Sequence, residues 1–213
     1  HAGLAAHGLE HAWPCFIVGK VGTDLHTTDF DPEAARRLYP IVAPLGSLIK
    51  GHYTDWVSNP EQYPLAGMGG ANVGPEFTAA EYQALAELNA KETDLRRSRS
   101  GMEPSRLMQA LEEAVFESKR WQKWLLPDEQ VGDMASARQI WDALSPERRA
   151  WLTQTGARYI WTAPRVVVAR QTLYHNLAAI MPDAHQRVVD RIAWVMEKYV
   201  VAFHLFDSLE LLG

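Results

Sequence analysis

Two short apolar runs, at 15–18 (Cys-Phe-Ile-Val) and 47–49 (Ser-Leu-Ile), are each followed by ionisable residues. Lys20, Asp24 and His26 follow the first, and Lys50, His52 and Asp55 follow the second. A lysine just past a buried strand serves as a Schiff-base nucleophile when desolvation lowers its pKa, or as a cationic clamp on a carbonyl or phosphate oxygen. A neutral imidazole such as His52 can ligate a divalent metal or move a proton, and Asp55 lies three residues on. Asp24 and His26 form a similar pair. The stretch Gly67-Met68-Gly69-Gly70-Ala71-Asn72-Val73-Gly74-Pro75 precedes a helix, where free backbone N–H groups and the helix dipole favour an anion. It departs from G-x-G-x-x-G at Asn72 and carries no Lys-Ser/Thr, so tight-turn geometry explains its glycines equally well. His7-Gly8-Leu9-Glu10-His11 matches the H-x-x-E-H zinc pattern, with both imidazoles on one helix face. Gly8 and Pro14 weaken that helix, and an ordinary helix surface is the preferred reading.

The elements that must position these groups follow from local signals. Runs of three or four apolar residues without alternation predict strands buried on both faces of a parallel sheet. Asp31-Pro32-Glu33 supplies an N-cap, a proline at the first helical position and a first-turn acid, with Ala34, Leu38, Ile41 and Val42 at helical spacing. A third, weaker strand is expected near 63–68, and Thr78-Ala79-Ala80-Glu81 predicts a capping box opening a helix through about residue 94. Strand, helix, strand at this spacing implies right-handed βαβ units, whose ligands bind at the strand C-terminal ends. A basic hinge at 96–101 then leads into helices: one carrying Leu107, Ala110, Leu111 and Val115, one from Ser145-Pro146 to Gly156, one opening at Pro164, and one over 183–206. The expected domains are 1–95 and 96–213.

Composition excludes several classes. The 213 residues carry a net charge of −5, which argues against a nucleic-acid partner, because phosphate neutralisation needs a clustered basic face. Trp121, Trp124, Trp141, Trp151 and Trp161 are accordingly read as helix-packing residues. The single cysteine, Cys15, allows no internal disulfide and points to the cytoplasm. No apolar run reaches the ~20 residues of a membrane span.

Three separated strings then carry a resemblance: Phe16-Ile17-Val18-Gly19-Lys20-Val21-Gly22-Thr23-Asp24-Leu25-His26-Thr27-Thr28, Lys50-Gly51-His52-Tyr53-Thr54-Asp55, and Gly69-Gly70-Ala71-Asn72-Val73-Gly74-Pro75-Glu76-Phe77. With Glu112-Glu113-Ala114-Val115, Trp121-Gln122-Lys123-Trp124-Leu125 and Arg158-Tyr159-Ile160-Trp161, the chain resembles the class II D-tagatose-bisphosphate aldolase non-catalytic subunit family. Members of that family have also been described as tagatose-6-phosphate kinases, and some as ketose 4-epimerases. The resemblance implies an α/β fold: the C-terminal part, about three strands, of a (β/α)8 TIM barrel, followed by a helical extension. A whole barrel takes about 250 residues. The chain opens His1-Ala2-Gly3 without an initiator Met, so it is read as part of a longer protein or as one piece of an assembly.

The implied ligand is a ketose or ketose phosphate at the strand ends. His52, Asp55 and Lys20 are the expected catalytic groups, and Asp24, Lys50, Gly70 and Asn72 the expected sugar-binding ones. In an epimerase, His52 would ligate a divalent metal (Zn, Mn or similar), with carboxylates from the absent strands as acid and base. Asn72 stands where the non-catalytic subunits carry a lysine, which leans towards the epimerase-like branch. The implied partners are a catalytic aldolase subunit, the remaining barrel half, or a second copy.

Overall fold

The computed structural model describes residues 2–24, 27–129 and 136–206. The chain divides into two compact units, His1–Glu76 with Trp194–Gly213, and Phe77–Ala193. The expected boundary at 95/96 falls inside the second unit, because one long helix passes through that point without a break.

The first unit runs α1 (Ala2–Ala5), β1 (Phe16–Val18), α2 (Pro32–Val42), β2 (Leu48–Gly51), α3 (Gln62–Leu65) and β3 (Met68–Ala71). The strands form a parallel sheet in the order β1-β2-β3. The helix on which His7 and His11 would share a face does not form as one piece. Gly8 takes φ +65°, a left-handed turn that ends the helix, and His11 falls in a separate 3-10 turn. His7 and His11 therefore do not share a helix face. The start of α2 is as the sequence dictates: Asp31 Oδ1 accepts from Ala34 N at 3.0 Å, with Pro32 at the first helical position.

Strand β3 lies further along the chain than its propensity predicts. Tyr63 joins the helical turn α3, while Gly69 and Gly70 occupy the strand. A Cβ on Gly69 would come within 2.6 Å of Leu48 Cβ, and one on Gly70 within 3.0 Å of Phe16 Cε1. The larger side chains of β1 and β2 occupy the space that β3 side chains would need, so tertiary packing overrides the low strand propensity of glycine.

The sheet is not covered on both faces as expected. Ile49 is 1% exposed on one face, whereas Phe16, Val18 and Leu48 are 42%, 56% and 44% exposed. The register pairs Phe16 with Leu48 and Val18 with Lys50, so these residues share the other face. Around the covered face, Val21, Phe30, Val57 and Tyr63 are buried, and the Phe30 and Tyr63 rings stack at 4.1 Å.

The remaining helices are α4 (Pro75–Ser98), α5 (Leu107–Ser118), α6 (Ala137–Ala143), α7 (Pro146–Gly156), α8 (Pro164–Leu177) and α9 (Ala184–Ala202). In the second unit Leu107, Leu111, Val115, Leu152, Val166 and Leu173 form the core with Trp121 and Trp141, all at most 1% exposed. Both buried indoles are satisfied, Trp121 Nε1 donating to Phe116 O at 3.1 Å and Trp141 Nε1 to Glu112 Oε1 at 3.3 Å. Trp151, at 46% exposed, departs from the packing role expected of the tryptophans. Helix α7 begins and ends where the sequence predicts, with Ser145 Oγ accepting from Arg148 N. Among the described residues, no helix is long and apolar enough to cross a membrane.

Candidate functional site at the strand C-terminal ends

Lys50 lies inside β2 rather than beyond it, in register with Val18 on one side and Gly70 on the other. The bare backbone of Gly70 lies beneath the Lys50 stem, because a Cβ there would meet Lys50 Cγ at 3.4 Å. His52 follows immediately after the strand. The ladder continues past the strand ends through Asn72 N to Gly51 O (3.1 Å) and Thr54 N to Asn72 O (3.0 Å). This pairing places the Asn72 amide beside His52, with Nδ2 3.2 Å from His52 Nδ1. With Nδ2 donating, Nδ1 accepts, and the proton of the neutral ring resides on Nε2, available to a ligand oxygen.

The loops that carry these residues are cross-tied. Thr23 Oγ1 donates to His52 O at 2.9 Å, and the Asn59 side chain both accepts from Phe30 N and donates to Phe30 O. Two features here carry no motif in the sequence. Tyr53 and Trp56 both take φ +56°, unusual for large side chains, and are 39% and 49% exposed. The Tyr53 ring sits edge-on to the His52 ring at 4.3 Å.

Asp55 is committed to a backbone task. Its Oδ1 accepts from Gly74 N and Glu76 N, each at 2.8 Å, and so caps α4 from a distant loop. The expected capping box at Thr78–Glu81 does not start the helix, which begins three residues earlier at Pro75. Glu76 is 8% exposed, accepts from Trp56 N, and contacts Tyr199 Oη. Lys198 Nζ lies 3.5 Å from Glu76, and Tyr199 Oη 3.1 Å from Thr54 O. Burial pushes the Tyr199 phenol well above its ordinary pKa, and the hydrogen bond to Glu76 and the charges of Glu76 and Asp55 add to the rise.

Lys20 is exposed, on the loop after β1. Asp24 is also exposed, and its Oδ1 closes a local turn by accepting from Thr27 N at 2.9 Å. His26 lies outside the described residues. The structure therefore brings Lys50, His52, Gly70 and Asn72 together at the C-terminal ends of β2 and β3 and gives Asp55 to the neighbouring helix start. Among the described residues no group of three His, Cys, Asp or Glu side chains is placed to hold a metal ion. At His52 the donor set is one imidazole beside one amide, which is short of a metal's ligand set.

No family model matches the chain. No curated protein matches it either. Among solved structures, it is similar to the crystal structure of a probable tagatose 6-phosphate kinase from Sinorhizobium meliloti 1021, with a TM-score of 0.57 and 16% sequence identity. The match covers 94% of this chain and 55% of that one, so the chain spans about half the length of its structural neighbour.

Proposed function

We propose that the chain binds a ketose or ketose phosphate across the C-terminal ends of its three strands, as the C-terminal portion of a (β/α)8 barrel. The observation that carries this reading is the Lys50–His52–Asn72 group, set at the ends of adjacent parallel strands beside the exposed ring of Tyr53. Parallel sheets bind ligands at these ends. A sugar offers hydroxyls to the imidazole and amide and an apolar C–H face to an aromatic ring, and a phosphate or carbonyl oxygen suits the Lys50 ammonium. The name of the structural neighbour, and the resemblance to the aldolase accessory family, point to tagatose chemistry.

In this reading Lys50 clamps the anionic or carbonyl end, His52 donates from Nε2, and Asn72 fixes the ring. Lys20 and Asp24 line the rim from the loop after β1, and Asp55 holds the α4 start. The apolar face of Phe16, Val18 and Leu48 receives the remaining barrel strands, supplied by further chain or by a partner. The protein acts as an accessory subunit of a catalytic aldolase.

Calorimetric titration of the chain with tagatose 6-phosphate and fructose 6-phosphate tests the proposal. Saturable binding that weakens at least tenfold in Lys50→Gln and His52→Ala is expected. Binding that these substitutions leave unchanged, or no binding of either sugar phosphate, overturns it. Interconversion of fructose and tagatose on addition of divalent metal would replace the accessory role with an epimerase.

A further inference from the structure

We propose that Arg120, Lys123 and Arg158, gathered around the Tyr159 ring in the second unit, form a binding site for a phosphate monoester. Two 3-10 turns build it. Arg120–Trp124 follows α5 through Lys119, which takes φ +57°, and Ala157–Tyr159 follows α7. The Arg120 and Arg158 guanidinium carbons lie 4.3 and 4.7 Å from the Tyr159 ring centroid, and Lys123 Nζ lies 4.9 Å from it. Lys123 Nζ is also 3.2 Å from Tyr159 Oη, and the Trp124 ring stacks on Tyr159 at 6.3 Å. Three like charges thus sit within roughly a Debye length of one another, where they repel unless an anion joins them.

Convergence of three cations without a carboxylate partner on one ring sets this cluster apart. In the same unit Arg148, Arg149, Arg165, Arg170, Arg187 and Arg191 each reach a carboxylate. Among the described residues no carboxylate forms an ion pair with Arg120, Lys123 or Arg158, in a chain whose net charge is −5. All three are exposed. The field of Lys123 and Arg158 registers on Tyr159: burial raises its pKa, but the Lys123 hydrogen bond and the charges of Arg158 and Lys123 outweigh that and hold it below the ordinary phenol value. Guanidinium forks match phosphate oxygens bidentately, and the Lys123 ammonium adds a further donor. A cluster centred on one ring suits a compact dianion better than an extended acidic peptide, which needs a stripe of cations.

Calorimetry with glycerol 3-phosphate is the test, with glycerol, inorganic phosphate and hexaglutamate as companion probes. Glycerol 3-phosphate is expected to bind at about 1 mM or tighter, more weakly as salt rises, and glycerol not at all. Arg120→Gln/Arg158→Gln should weaken binding at least tenfold, while Arg97→Gln, which removes an exposed cation elsewhere in the chain, should leave it intact. Circular dichroism of the double variant checks that its fold is kept. Undiminished binding in the folded double variant overturns the proposal. So does its loss in Lys50→Gln, which would assign the phosphate to the strand ends. Tighter binding of hexaglutamate than of glycerol 3-phosphate overturns it in favour of an acidic protein partner.

Discussion

Asn72 Nδ2 stands 3.2 Å from His52 Nδ1, across the junction where β2 and β3 end. With the amide nitrogen as donor, the ring holds the tautomer whose proton is on Nε2. Replacing Asn72 by Leu removes that donor and leaves the exposed ring free to rotate. A ketose-phosphate affinity about tenfold lower is expected, the worth of roughly one hydrogen bond to an oriented group. Calorimetry checks it, with thermal unfolding unchanged within about 0.5 kcal/mol, as befits an exposed substitution. Unaltered affinity would remove Asn72 from the site.

Asp55 acts as the cap of a helix that begins twenty residues later. Asp55→Ala should therefore destabilise the protein by about 1–2 kcal/mol in urea unfolding, the usual cost of a lost N-cap. Asp55→Asn keeps an acceptor oxygen and should recover much of that loss. If the carboxylate instead moves a substrate proton, Asn would fail where it rescues stability, and the two measurements would diverge.

Tyr199 provides a test on the alkaline side. Its pKa is raised in the folded state, so its contribution is fully present below the unfolded phenol value of about 10 and is lost as pH climbs towards the folded value. Tyr199→Phe should cost about 1–2 kcal/mol at pH 7, because Glu76 and Thr54 O lose a partner. The stability gap between the two proteins should narrow above pH 10. A gap that stays constant to pH 11 would contradict the buried, neutral phenol.

Glu129 provides the acid counterpart. The Arg148 hydrogen bond, opposed by burial and aided by Leu126 N, holds its pKa below the ordinary carboxylate value. Arg148 reaches both carboxylate oxygens, at 2.6 and 2.9 Å. A lowered carboxylate pKa stabilises the fold above the unfolded value, and the benefit fades as pH falls through the folded one. Glu129→Gln should therefore lower stability by about 1–3 kcal/mol at pH 7, with the difference from the unaltered protein disappearing in strong acid. Melting temperatures between pH 2 and pH 7 measure this.

Helix caps were the most legible part of the fold. Asp31-Pro32 and Ser145-Pro146 start helices as their local chemistry requires, since a cap is satisfied within four residues. The order of strands and helices in the first unit was legible for the same reason. What local signals could not show was set at long range. Gly69 and Gly70 read as a turn, yet become β3 because Leu48 and Phe16 fill the space above them. Thr78 read as a cap, but Asp55 does that work from a separate loop. At the strand ends, the grouping of Lys50, His52, Gly70 and Asn72 was legible from residue type and position. Tyr53 and Trp56 were not, because a positive φ at an aromatic residue leaves no pattern in the sequence.

The most direct test of sugar recognition at the strand ends is the NMR signal of the His52 ring, followed while tagatose 6-phosphate is added to the chain. A saturable shift of the His52 Cε1–H resonance, strongly weakened in Lys50→Gln, is the predicted result. A His52 signal that stays fixed while resonances elsewhere saturate would contradict the account.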